Sequence, residues 1–323
     1  MLIRFFKNNS FIQFLGLLVL GFVLWINVFI APPPIAENAF TSPLYNLFTS
    51  ITNNHLVFIT LTFIILFIQA IYLNHVLIRH ELIQRNSFLA AFVYLVLMSH
   101  SLQLQHLYPA LISSLFVIAA IDSILEIDLQ EDYNRLSFKP GFYLGFASLF
   151  YLPILILLLF IWSTLFIFRI QSWRSWFIPV VGLITPYIFL FTYYFCMDTT
   201  EIFLNHYKDY FSDIKLIFSS TDGYVRVIIT IIVFFTTISL ARVLGRINEQ
   251  KIVIRKKIKI ILNLLLVSIV ILFLNNDLII HASVIYIPIS IFMTIYFSEL
   301  RKVFWFDLLF TLTVFLIIFA HFQ

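Results

Sequence analysis

An all-α, polytopic transmembrane helical bundle is the fold class this sequence predicts, and three observations predict it. Of its 323 residues, 62% are hydrophobic and 11% charged, against roughly 45–50% and about 25% in soluble domains. The apolar residues run on without the two-residue alternation of a transmembrane barrel. Several runs reach the roughly 20 residues with which a helix crosses about 30 Å of hydrocarbon. This composition excludes a soluble enzyme and a disordered chain. One integral membrane domain over 1–323 is expected, with no soluble domain.

The first span is expected at about 11–31. It follows Arg4 and Lys7 as a signal peptide would. The stretch is too long for that, and Pro32, Pro33 and Pro34 stand where a small-residue cleavage site would be, so it reads as retained. Further spans fall at about 56–77, 88–105, 107–125, 176–197, 223–241, 260–275, 278–297 and 303–320.

The stretch 140–168 divides in two ways. One long tilted helix would cross once. Two short helices meeting near Tyr151–Pro153 would return the chain to its starting side. Charge separates the alternatives. With the hairpin and a cytoplasmic N-terminus, all of the 20 Lys and Arg residues except Lys208, Lys215 and Arg226 lie at inner ends. With one long helix, everything beyond Arg169 inverts and Lys251–Lys259 faces outside. The positive-inside rule favours the hairpin. The expectation is about eleven membrane segments, N-terminus in and C-terminus out.

Glycine is scarce, with seven residues against 39 phenylalanines, so bulky side chains must fill most helix contacts. Gly141 and Gly145, at the start of the hairpin, have the GxxxG spacing that lets two helices approach closely. The single cysteine, Cys196, excludes a disulfide framework and a cysteine metal site. The basic residues flank spans and so have a topological explanation, which leaves no case for nucleic-acid binding. Lys251, Arg255, Lys256, Lys257 and Lys259 are expected to fix orientation and meet anionic head groups.

Candidate chemistry gathers in three places. The outer loop 32–55 opens on three prolines, then carries Leu44, Leu47, Phe48 and Ile51 at the spacing of an amphipathic helix over 43–52, expected along the interface. Glu37 is the acid of this loop, and a carboxylate there can act as a base. The outer loop 198–222 holds Asp198, Glu201, His206, Asp209, Asp213 and Asp222, but their spacing matches no known ligand set, so no metal is expected. Where two spans meet, His100 and Gln103 lie a turn apart and are expected to face inward, followed by Gln105, His106 and a tight external turn at Tyr108–Pro109.

Within the spans, Asp122 and Asp307 need a basic partner or the interface. Asp122 precedes Glu126 by one turn, and Asp307 follows Arg301 and Lys302 by two. Asp277 and His281, four apart, are in reach of a local pair. The sequence lacks a P-loop, G-x-G-x-x-G, H-E-x-x-H or serine-nucleophile motif, so no cofactor is expected.

The run Phe138-Lys139-Pro140-Gly141-Phe142-Tyr143-Leu144-Gly145 to Pro153, then Arg169, Trp173-Arg174 and Gly182 to Pro186, resembles an uncharacterised bacterial multi-pass inner-membrane family along the whole chain. The same run is similar to the middle of polyprenol-phosphate-sugar-dependent membrane glycosyltransferases. In these, a glycine-bearing helix and an apolar helix form a short hairpin, followed by a charged turn and a helix with Gly and Pro. The resemblance implies catalysis by a carboxylate of the first outer loop, usually Asp in an acidic pair. Glu37 is the acid this loop offers, without a second beside it.

On that reading Glu37 activates an acceptor hydroxyl. The substrate is linked to polyprenyl phosphate, and His55, His106, Asp198 and Glu201 are expected to bind it. Membrane lipids are further partners. Two other readings compete: a non-catalytic subunit or scaffold with membrane-protein partners, and a transporter, which internal repeats would support and in which no convincing repeat is found.

Overall fold

The computed structural model describes residues 2–31, 44–45, 54–83, 87–126, 133–170, 172–201, 223–273, 278–300 and 304–322. Among them the regular structure is helical: α1 (Leu2–Phe6), α2 (Phe11–Ile30), α3 (His55–Arg79), α4 (Leu89–Met98), α5 (Pro109–Leu125), α6 (Tyr133–Phe150), α7 (Leu157–Ile167), α8 (Trp173–Cys196), α9 (Gly223–Gly245), α10 (Ile252–Leu272), α11 (Leu278–Glu299) and α12 (Phe304–His321). Six are long and apolar enough to cross a membrane: α2, α3, α8, α9, α11 and α12. Leu89–Met98, Pro109–Leu125 and Leu152–Ile167 are shorter apolar helices. The chain is a multi-pass helical membrane protein.

Contacts mark two opposite ends of the bundle. At the basic end, Lys7 Nζ donates to the Leu300 carbonyl at 2.9 Å, the Phe88 N–H to the Phe6 carbonyl at 3.1 Å, and Lys257 Nζ to the His80 carbonyl at 3.1 Å. Arg246 pairs with Glu299 at 3.9 Å. At the far end, Asn27 reaches the His321 carbonyl, and Ser113 Oγ donates to the Ala147 carbonyl at 2.8 Å.

The core lies around α4 and α11. All ten residues of α4 are buried, as expected of a helix that is apolar on every side. Along α11, Ile287, Ile291, Phe292, Met293 and Phe297 have no exposed surface. By contrast α8 is peripheral, with Phe177, Val181, Ile184 and Ile188 exposed.

Tyr151 is extended (φ −143°, ψ 98°) and ends α6; a 3-10 turn over Leu152–Ile156 leads into α7. Here α8 runs parallel to α6. A Cβ on Gly141 would lie 2.8 Å from the Pro179 Cα, and one on Gly145 3.0 Å from the Leu183 Cα, so contacts advance together along both helices. Tyr187 donates to Ser148 Oγ at 2.8 Å, further along in the same sense. Parallel neighbours require the residues between them to return, and α7 does so.

Three boundaries differ from the sequence reading. The span expected over 88–105 is helical only to Met98, with a short 3-10 turn at Leu102–Leu104. α10 starts at Ile252 rather than 260, because Lys257 and Ile258 are buried against the bundle although the run is charged. Of the helix expected over 43–52, Leu44 and Tyr45 are described and are helical; the rest lies outside the described residues.

Candidate functional site

A helix of ten residues such as α4 rises about 15 Å, roughly half the hydrocarbon thickness. The segment Ser99–Tyr108 therefore lies inside the bundle without being an α-helix. Ser101 Oγ accepts from the Gln103 N–H at 3.3 Å and opens the 3-10 turn. Pro109, whose missing N–H costs nothing at a first helical position, opens α5. Ser99, His100, Ser101, Leu104, Gln105, Leu107 and Tyr108 are all buried.

Irregular backbone is tolerated at membrane depth only where protein or water satisfies it. Here side chains do so. Trp25 Nε1 donates to Ser99 Oγ at 2.9 Å. Gln105 Nε2 donates to the Leu24 carbonyl at 3.2 Å and the Ser99 carbonyl at 3.3 Å. His321 Nδ1 lies 3.2 Å from the Leu24 carbonyl. His100 bonds through Nδ1 to the Leu97 carbonyl at 2.8 Å and through Nε2 to the Tyr286 hydroxyl at 3.3 Å.

Two residues of the first loop, Leu44 and Tyr45, meet this end of the bundle. Tyr45, itself buried, donates to the Leu107 carbonyl at 2.9 Å. Its neighbour Leu44 packs against Leu149, Leu190 and Tyr194, near the far ends of α6 and α8. These two residues thereby bridge the polar segment and the helix that leads to Asp198 and Glu201.

Among the described residues, several buried polar atoms of the far end have no hydrogen-bond partner: Gln105 Oε1, His106 Nε2, Tyr151 Oη, His321 Nε2 and both ring nitrogens of His281. The Tyr151 and His281 rings lie 5.5 Å apart. The His106 and Tyr108 rings are 5.8 Å apart. The arrangement supplies fixed uncharged donors and acceptors, the kind of preorganised group that acts strongly where water is excluded.

The residues singled out in the sequence fare differently. Glu37 lies outside the described residues. His55 is the first residue of α3, and its side chain lies outside them too. His106 is partly buried in the polar segment. Asp198 and Glu201 are exposed beyond α8, with Asp198 in the left-handed region (φ 53°). Among the described residues, no hydrogen bond or ion pair joins His106 to either acid. His100 faces inward as expected. Gln103 does not: it is exposed, and Gln105 takes the interior place. Tyr108 is fully buried rather than part of an external turn. Asp277, the expected partner of His281, lies outside the described residues.

Sequence reasoning passed over Trp25, Tyr45, Tyr151, Tyr286 and His321 at this end. For the Trp and Tyr residues the signal was a polar atom on an aromatic ring, which composition counts as hydrophobic; for His321 it was a lone histidine closing an apolar run.

Asp122 belongs to a separate cluster at the basic end. Its Oδ1 accepts from His80 Nε2 at 2.7 Å, and its Oδ2 from Arg79 at 3.1 Å and Tyr72 at 3.2 Å. Arg79 also pairs with Glu126, which lies 3.9 Å from Lys139. The cluster ties α3, α5 and α6 together. Asp307 Oδ1 accepts the Ile3 N–H at 2.9 Å, at the start of α1. Among the described residues, no group of three His, Cys, Asp or Glu side chains is placed to hold a metal ion.

No protein-family model, curated protein or solved structure matches this chain.

Proposed function

We propose that this chain is a glycosyltransferase-like protein of the bacterial inner membrane, acting on a lipid-linked substrate at the outer face. It has eleven membrane segments, with the N-terminus in the cytoplasm. The observation that carries the reading is the clamp of Leu44–Tyr45 on the buried polar segment. It ties the loop that bears Glu37 to a set of fixed uncharged donors and acceptors at the end remote from the basic residues. The topology draws its support from the gathering of Lys7, Arg79, Lys139, Arg246 and Lys257 at one end.

In this reading Glu37 takes the proton of an acceptor hydroxyl. The oxygen then bonds the anomeric carbon of the sugar as the bond from that carbon to the polyprenyl phosphate oxygen breaks, and polyprenyl phosphate leaves. His106 and the hydroxyls of the polar segment orient the sugar.

The test is single-turnover transfer from a polyprenyl-phosphate sugar to a soluble acceptor by the purified chain in nanodiscs. Glu37→Gln keeps shape and removes the base, so transfer falls by roughly 10²–10⁴-fold with an unchanged melting temperature. Equal transfer by Glu37→Gln removes the catalytic assignment. Absence of transfer by the parent chain together with co-purifying membrane proteins favours the scaffold.

A further inference from the structure

Three helix ends converge at the basic end: the C-terminus of α7 and the N-termini of α8 and α10. α7 packs against both α8 and α10. These ends carry Arg169, Arg174, Lys256 and Lys259. Between Leu152 and Met197, and between Lys251 and Phe273, the sequence holds no carboxylate. Lys256 Nζ lies 5.4 Å above the Phe168 ring, next to Arg169.

Arg169 occupies a position where an L side chain is strained. Its φ is 57°. Its N–H bonds the Phe166 carbonyl at 3.0 Å and that of Ile170 bonds the Leu165 carbonyl at 3.1 Å, the paired bonds of a turn that ordinarily takes glycine. The linker that follows is held by Trp176 Nε1, which donates to the Ile170 carbonyl at 3.0 Å, and by Trp162 Nε1, which donates to the Trp176 carbonyl at 3.1 Å. A fixed turn that presents an exposed arginine where glycine would be unstrained calls for a role for the charge.

Apolar surface borders the cations directly. Phe166 is 76% exposed, Trp173 69% and Ile252 71%. A soluble anion has no use for that surface, whereas acyl chains cover it.

We propose that this patch is a binding site for an anionic phospholipid, with the headgroup phosphate between Arg169, Arg174, Lys256 and Lys259 and the acyl chains along Phe166, Trp173 and Ile252. Basic pockets beside membrane helices recognise such head groups. The inference is independent of the glycosyltransferase reading.

Brominated acyl chains quench tryptophan on contact, and Trp162, Trp173 and Trp176 surround the site. The full chain carrying Trp305→Phe is placed in phosphatidylcholine vesicles with a minor fraction of phosphatidylglycerol, with bromine on one lipid or the other. Brominated phosphatidylglycerol quenches more per molecule than brominated phosphatidylcholine. That preference falls about fivefold for each cation removed, in Arg169→Gln and in Lys256→Gln, and survives Arg4→Gln. Arg169→Gly is the decisive variant, because it relieves the backbone while removing the charged side chain: it keeps or raises the melting temperature and lowers the preference about fivefold. Equal quenching by the two lipids overturns the proposal, as does an undiminished preference in Arg169→Gly. So does loss of the preference on adding inorganic phosphate, which would show a site for a free anion.

Discussion

Gly145 lies against the backbone of Leu183, with no room for a side chain between them: a Cβ added there would come within 3.0 Å of the Leu183 Cα. Gly141 meets Pro179 in the same way, and Gly182 meets Phe138 and Phe142 from the opposite helix. Three of the seven glycines thus serve one seam between α6 and α8.

Overfilling this seam forces the two backbones apart. Gly145→Leu is expected to destabilise the protein by about 1–3 kcal/mol, read as a lower melting temperature in detergent. Gly245→Leu is the matched control, since nothing lies within 4 Å of its added Cβ. Equal melting of Gly145→Leu and the parent would show that the seam is loose.

The Asp122 cluster predicts a graded loss. Asp122→Asn keeps a group that can bond His80 or Tyr72, whereas Asp122→Ala leaves buried His80 without its partner, at a cost of about 1–3 kcal/mol. Arg79 is nearly half exposed, so its own share is small. Thermal unfolding should rank the parent above Asp122→Asn and Asp122→Ala lowest. The reverse order of the variants would assign the cost to packing.

Gln105→Leu removes the donor that satisfies the Leu24 and Ser99 carbonyls. The Leu24 carbonyl keeps His321 Nδ1 at 3.2 Å, but leaving the Ser99 carbonyl buried without this donor costs about 1–3 kcal/mol. Hydrogen exchange over residues 99–108 should accelerate while that of α8 stays unchanged. Uniform acceleration along the chain would mean global unfolding rather than loosening of the polar segment.

Asp307→Ala withdraws the acceptor from the Ile3 N–H at the start of α1. Loss of a carboxylate at such a position typically costs about 0.5–2 kcal/mol. Limited proteolysis should then cut sooner before Phe11. Unchanged cleavage would show that the Lys7 bond to Leu300 is enough to hold the helix.

Orientation is tested by labelling. In a Cys196→Ala background, a membrane-impermeant maleimide should reach Glu201→Cys in intact cells and Lys251→Cys only after lysis. Labelling of both from outside would remove the proposed eleven-segment topology.

Composition and the length of the apolar runs were enough for the helical membrane class, because hydrocarbon leaves a chain few ways to satisfy its backbone. Most spans lay within a few residues of their expected bounds for the same reason. The GxxxG spacing pointed to a close approach, but its partner, Pro179 and Leu183 on a parallel helix, came from the packing of the whole chain. Other features were illegible because they depend on residues far apart in sequence. Asp122 is explained by His80 and Arg79, 42 and 43 residues away, and Asp307 by Ile3 at the opposite end of the chain. The apolar run 88–105 read as one span because hydropathy averages over a window. Tertiary structure ended the helix at Met98, since Trp25, Tyr286 and the Gln105 amide converge there to satisfy a polar turn. Sequence determines which residues must leave water. Which polar atoms meet once they have left is decided by packing alone.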